Sequence, residues 1–277
     1  MSPIIRRVAL LALVGALLLP AASPVAAADT TTMAEAEQQV VALLNQQRAE
    51  VGLLPLRVDV RLRTIARARA TDMAEKGYFA HQQPDGRWAW DLMTEAGITW
   101  YSAGEILASN SRGELPESAT GAAQQWRDSP THYALVTGRD FNYFGVGLAV
   151  DAAGKRIWAT IFLKGPDRTG AWAKLTTPST AKAPTAGAAA GPSVKRNVTI
   201  SWTGRDPLLQ VLTAGLRDYR LQTRYAGAST WITLSAATTS TSVVRGLYVG
   251  RVYEFRVRAR DKAGNYGAWS APITIVP

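Results

Sequence analysis

Tyr143-Phe144-Gly145-Val146-Gly147-Leu148-Ala149-Val150 and Ile157-Trp158-Ala159-Thr160-Ile161-Phe162 are two apolar runs separated by Asp151-Ala152-Ala153-Gly154. Strand-length apolar segments around a Gly-containing turn predict a β-hairpin. Upstream, the pattern is helical. Residues 33–50 carry Val40, Val41, Leu43 and Leu44 on one side and stop at Gly52. Leu62, Ile65, Ala66, Ala70 and Met73 recur at spacings of three and four and stop at Gly77, a C-terminal glycine. Shorter helical stretches cover about residues 88–96 and 117–126, the latter leading into Ser129-Pro130-Thr131-His132. Helices bracketing a hairpin-built sheet imply an α+β domain over residues 29–170.

The N-terminus sets the compartment. Arg6 and Arg7 precede an apolar run from Val8 to Leu19, and Ala26-Ala27-Ala28 precedes Asp29. A basic start, a short apolar stretch and an A-x-A site read as a secretory signal peptide over residues 1–28, cleaved near Ala28. The apolar run is shorter than the roughly 18–20 residues of a membrane span. The expected product is a secreted chain with no transmembrane segment left after cleavage, and its composition has a bacterial character.

The chain has no Cys. That excludes a disulfide framework, a thiolate zinc site, an iron–sulfur cluster and a Cys nucleophile. Only two His are present, so imidazole chemistry rests on His81, His132 or both. The net charge of +10 is uneven. Residues 29–170 hold 15 basic and 17 acidic residues, whereas residues 171–277 hold 14 and 4. For an exported protein this points away from nucleic acid and toward an anionic envelope polymer or lipid head groups. Residues 171–192, rich in Ala, Thr, Pro, Ser and Gly, read as a flexible linker that lets the two halves move semi-independently.

Beyond it, residues 193–277 show period-two alternation. Val198, Ile200 and Trp202 alternate with polar neighbours, as do Tyr219, Leu221 and Thr223, and Tyr253, Phe255, Val257 and Ala259. Short strands with one apolar face predict an all-β, immunoglobulin-like sandwich. Arg220, Arg224, Arg256, Arg258 and Arg260 fall on the outward positions and are expected to share one water-facing binding face.

Five stretches in order resemble the CAP superfamily (cysteine-rich secretory, antigen 5 and pathogenesis-related proteins) in a Cys-free bacterial form. They are Leu43-Leu44-Asn45-Gln46-Gln47-Arg48, Gly52-Leu53-Leu54-Pro55-Leu56, Met73-Ala74-Glu75-Lys76-Gly77-Tyr78-Phe79-Ala80-His81, Ala103-Gly104-Glu105-Ile106 and Trp126-Arg127-Asp128-Ser129-Pro130-Thr131-His132. The resemblance implies a three-layer α–β–α sandwich with a surface cleft gathering His81, His132 and Glu105, the candidate catalytic and metal residues. Where the family often carries a second Glu, this chain has Ser129, with Asp128 one residue earlier. Two imidazoles and one carboxylate are a donor set suited to a divalent cation such as zinc, with a position left for water. Placing His132 in the first turn after a Ser–Pro cap predicts a lowered pKa, through the positive end of the helix. Leu247-x-x-Gly250-x-x-Tyr253, followed by Phe255 to Asn265, resembles the fibronectin type III domain, with Trp202 as its core Trp and Tyr253 as its corner tyrosine.

The expected function is an extracellular or envelope-associated binding protein whose cleft holds a ligand or divalent metal. The alternative is a metal-dependent hydrolase acting on peptide or cell-wall substrates. The missing second Glu favours binding.

Overall fold

The two apolar runs form neighbouring antiparallel strands of a four-stranded sheet. The computed structural model describes residues 31–178 and 194–277, so the signal-peptide reading lies outside the described residues. In chain order the first half contains α1 (Met33–Glu50), β1 (Arg57–Val58), α2 (Val60–Lys76), α3 (Ala89–Glu95), β2 (Ser102–Asn110), α4 (Leu115–Asp128), α5 (Pro130–Val136), β3 (Tyr143–Val150) and β4 (Arg156–Lys164). The sheet order is β1-β3-β4-β2, with β1 parallel to β3 and the other pairs antiparallel.

Both faces of this sheet are covered. Phe144, Val146, Leu148, Trp158 and Phe162 pack with α1, α4 and α5, while Tyr143, Ala149, Ile157, Ala159 and Ile161 pack with α2 and α3. Two covered faces explain why the hairpin runs are continuously apolar instead of alternating. The result is the three-layer α–β–α sandwich that the family resemblance implies. Gly145 and Gly147 let α2 lie directly on β3: a Cβ on Gly147 would sit 2.2 Å from the Arg67 backbone N, and one on Gly145 would sit 2.2 Å from that of Arg63.

The second half folds as two sheets, β11-β10-β7-β8 and β5-β6-β9, built from β5 (Trp172–Leu175), β6 (Lys195–Arg205), β7 (Leu216–Tyr225), β8 (Ile232–Thr238), β9 (Ser242–Tyr248), β10 (Tyr253–Asp261) and β11 (Ile273–Ile275). Trp202 is buried edge-on against Tyr219, and the Tyr253 hydroxyl accepts a hydrogen bond from the Tyr248 backbone N–H at 3.0 Å. This is the corner arrangement of an immunoglobulin-like sandwich.

The structure differs from the linker expected over residues 171–192. Ala171, Ala173 and Leu175 point into the sandwich core, and β5 pairs with β6 from Trp172↔Arg205 to Leu175↔Trp202. Small inward side chains on a short strand hide the alternation within an Ala/Thr-rich composition. Residues 179–193 lie outside the described residues. Only residues 165–171 separate β4 from β5.

The expected semi-independence of the halves also meets a contrary arrangement. The loop between β6 and β7 docks on the first domain: the Gln210 Oε1 accepts from the Leu54 N–H at 2.8 Å, and Asn142 Nδ2 donates to the Val211 carbonyl at 3.4 Å. Leu209 is buried in the same apolar cluster as the inner face of α2. A short connector and a shared core hold the halves together.

Candidate functional site

The site begins with Arg69, on the inner face of α2. Gly77 stops that helix in the left-handed conformation (φ +69°), turning Tyr78 to His81 back over the helix end. The Arg69 side chain, fully buried, organises this segment. Its Nε donates to Glu105 Oε1 at 2.9 Å, Nη1 to the Tyr78 hydroxyl at 2.8 Å, and Nη2 to the carbonyls of Ala80 and His81 at 2.8 Å each. The Tyr78 hydroxyl donates in turn to Asp72, and burial together with that carboxylate pushes the phenol up to about 12.

Glu105, on β2, is buried, and its Oε2 lies 2.8 Å from Nδ1 of His81. The His81 side chain is 44% exposed. Its outer ring nitrogen therefore stands at the surface, while the inner one is held by a carboxylate that is itself held by a buried guanidinium. Carboxylate–imidazole pairs of this kind fix ring orientation and tautomer in metal- and ligand-binding histidines.

His132 enters from α5. Ser129 is the N-cap and Pro130 opens the helix, as expected, although the Ser129 hydroxyl contacts Thr131 Oγ1 instead of capping the backbone. The far end of α5 is anchored by Arg48, whose Nη1 donates to the Val136 and Gly138 carbonyls at 2.7 and 2.9 Å. Burial pushes this guanidinium down to about 10. The His132 imidazole titrates below its ordinary value, the direction expected from the sequence. The cause is burial, followed by the neighbouring His81.

Other quoted stretches have structural work. Asn45 clamps the Leu53–Leu56 crossing, accepting from the Leu56 N–H at 2.8 Å and donating to its carbonyl at 3.2 Å. Trp126 donates from Nε1 to the Leu107 carbonyl at 2.9 Å, tying α4 to β2.

His81, Glu105 and His132 thus gather in one region, but they do not form a closed cage. Among the described residues, only Asp167, Asp206 and Asp261 bring three potential metal donors within 4.8 Å of one another. Both Glu105 oxygens are engaged by Arg69 and His81, so Glu105 serves as an orienting partner while the imidazoles remain as free donors. Asp128 does not fill the fourth place: it is exposed on α4 and accepts from Gln124 at 2.7 Å. Sequence reading missed Arg69. Its signal is an Arg on the apolar stripe Leu62–Ile65–Ala66–Ala70–Met73 of α2.

The five arginines of the sandwich do share a face. Register places Arg258 opposite Arg220, Arg224 opposite Glu254 and Arg260 opposite Asp218. They do not simply extend into water. Arg256 stacks over Trp231 and Trp269 at 4.1 and 4.4 Å, and Arg258 over Tyr266 and Trp269 at 4.1 and 4.6 Å. Arg224 pairs with Glu254 and Arg260 with Asp218, both at 2.6 Å. Arg220 and Arg258 have no acidic partner among the described residues, and each has a buried Nε without a hydrogen bond. Burial and then neighbouring arginines lower the pKa of Arg256 and Arg258.

Residues 41–162 match the family model of the cysteine-rich secretory protein family, and residues 183–276 match that of the fibronectin type III domain. Among curated relatives, the uncharacterized protein YkwD of Bacillus subtilis is 34% identical over 140 residues, covering 49% of this chain and 51% of its own length. The uncharacterized membrane protein YlbC of the same organism is 28% identical over 112 residues, covering 40% of this chain and 31% of its own. The chain therefore spans about half the length of the first relative and under a third of the second. An extracellular SCP-domain protein from Bacillus anthracis is 23% identical, with a TM-score of 0.43 over 48% of this chain and 41% of that one. An outer surface protein from Borrelia burgdorferi is 20% identical, with a TM-score of 0.44 over 49% of this chain and 96% of that one. No helix among the described residues is long and apolar enough to cross a membrane. The first half of this chain is a CAP domain of the cysteine-rich secretory protein family, and the second half is a fibronectin type III domain.

Proposed function

We propose that the chain is a secreted, envelope-associated binding protein. In this reading, the CAP domain holds a ligand or a divalent cation at His81 and His132, and the fibronectin type III domain presents its arginine face to an anionic envelope polymer or lipid surface. The observation that carries the first part is the exposed His81 imidazole, clamped by Glu105, which is itself pinned by the fully buried Arg69. Such a relay preorganises the outer ring nitrogen for a partner. Two imidazoles fit zinc-type coordination, with water or ligand completing the shell. A bound ion there would act as a Lewis acid, while Glu105 orients His81 and the lowered pKa of His132 keeps that ring neutral and able to donate its lone pair. Binding is preferred to metal-dependent hydrolysis because Glu105 has no unengaged oxygen to act as a general base.

Calorimetric titration with zinc at about pH 7.5 tests the site. Weak binding is expected in the wild type, with loss of most affinity in both His81→Ala and His132→Ala. Absent heats, or heats identical in all three proteins, overturn the reading. The arginine face is tested by co-sedimentation with anionic vesicles and wall polymer. Arg220→Gln is the suitable variant, because Arg220 lacks both an acidic partner and a stacked ring among the described residues. Binding should weaken with this change and with added salt; binding indifferent to both would remove the face from the proposal.

A further inference from the structure

Asp167, Asp206 and Asp261 meet where the two domains join. Asp167 lies in the connector between β4 and β5, Asp206 follows β6, and Asp261 ends β10. All three are buried, and each offers a carboxylate oxygen within 4.8 Å of the other two. This is unusual in a half of the chain with 14 basic residues and only four acidic ones. Two of those acids behave as expected: Glu254 pairs with Arg224, and Asp218 with Arg260. The other two, Asp206 and Asp261, turn away from the basic face toward a third carboxylate. No Lys or Arg among the described residues forms an ion pair with any of the three.

Neutral donors take up most of the oxygens. Asp167 accepts from the N–H groups of Thr169 and Ala214 at 2.8 Å each, and its Oδ1 lies 3.3 Å from the Tyr143 hydroxyl. Asp261 accepts from the backbone and side chain of Asn265 at 2.7 Å each. Asp206 accepts from the Gly215 N–H through Oδ2 at 2.6 Å. Its other oxygen, Oδ1, is buried and accepts nothing, on a residue only 7% exposed. A buried carboxylate oxygen without a donor, facing two more carboxylates, is costly unless a positive charge completes it. Burial and then the two neighbouring aspartates push the Asp206 carboxyl above its ordinary value, against the lowering effect of the Gly215 N–H.

We propose that Asp167, Asp206 and Asp261 bind a hard divalent cation, calcium by preference, and that this ion fastens the interdomain connector to the fibronectin type III domain. Ligands about 2.3–2.6 Å from one calcium ion lie no more than about 5 Å apart, which the observed spacing satisfies. An all-oxygen, all-carboxylate set favours calcium or magnesium over zinc, and buried, partly hydrogen-bonded carboxylates suit the tolerant geometry of calcium better than the strict octahedron of magnesium. The site is separate from the histidine pair, so the two stand or fall independently.

The test uses the full chain, stripped of metal with a chelator, in calorimetric titration with calcium chloride and in thermal melts with and without calcium. One calcium ion per chain and a rise in Tm are expected. Asp206→Asn should weaken calcium binding at least tenfold and abolish the rise in Tm. In chelator it should melt no lower than the wild type, because it removes one uncompensated charge; this control separates loss of ligation from loss of fold. Asp167→Asn should repeat the loss of binding. His81→Ala should bind calcium like the wild type, which distinguishes this site from the histidine pair. Absence of calcium heats at millimolar concentration together with an unchanged Tm would overturn the proposal, leaving a proton as the neutralising species. Unaltered affinity in Asp206→Asn would overturn it equally, by placing the calcium elsewhere.

Discussion

Arg69 shows how one side chain makes a site. Its guanidinium is fully buried and satisfied by Glu105, Tyr78 and two carbonyls of the segment that carries His81. Removing one partner of a buried pair strands the other charge, at a cost of about 3–5 kcal/mol. Arg69→Met and Glu105→Gln should therefore each lower stability by roughly that amount in urea denaturation, and a loss below about 1 kcal/mol would show that the pair is dispensable. His132 gives a pH signature. Its folded pKa is depressed, so the stability linked to its neutral form is present in full above the unfolded value of about 6.5 and declines as pH falls through the folded value. Melts across that window should slope less in His132→Gln than in the wild type. The histidines and Glu105 were legible because family motifs mark them. Arg69 was not, because periodicity places it on the apolar stripe while its charge suggests a surface side chain, and only the fold reveals the carboxylate waiting opposite.

At the level of elements, the contact of α2 with β3 depends on the missing side chains of Gly145 and Gly147. A methyl group on Gly147 would meet the main chain of Ala66 and Arg67, which cannot rotate away, so the helix must lift. Gly147→Ala should cost about 1–3 kcal/mol or more as an overpacking change, read from the denaturant midpoint. A midpoint unchanged within error would mean that the helix has slack. The same reasoning explains what the sequence concealed. The hairpin and the helices were readable because large apolar residues mark their buried positions. Strand β5 was not, because Ala173 within it and Ala171 just before it supply the inward positions, and composition alone cannot tell a small-residue strand from a linker. The arginine face was legible in register, since alternation fixes which side chains point outward. Its stacking was not, because Trp231, Tyr266 and Trp269 arrive from other segments of the chain. Trp269 touches both Arg256 and Arg258, and cation–π contacts contribute roughly 0.5–2 kcal/mol each. Trp269→Ala should thus destabilise the sandwich, and replacing the stacked arginines would disturb folding as well as charge.

Across the whole molecule, the two domains are coupled by a connector of residues 165–171, by the Gln210 and Asn142 hydrogen bonds and by Leu209. Leu209 comes from the fibronectin type III domain but is buried in the CAP-domain cluster containing the α2 face and Tyr143. An isolated long linker would let each domain melt on its own. A shared apolar anchor links their transitions, because unfolding either domain exposes that side chain and strips the other of its cover. The wild-type chain should therefore unfold as one calorimetric transition. Leu209→Ala removes most of the anchor and leaves a space at the junction, which costs about 2–5 kcal/mol for buried leucines in general. Here that loss falls mainly on the coupling, since Leu209 contributes its burial across the junction and not to the sandwich core. The expected result is two separated transitions in the variant, with the fibronectin type III midpoint nearly unchanged and the CAP midpoint lower. A single transition displaced as a whole would instead show that the connector and the polar contacts are sufficient to keep the domains cooperative, and that Leu209 merely stabilises the assembled molecule.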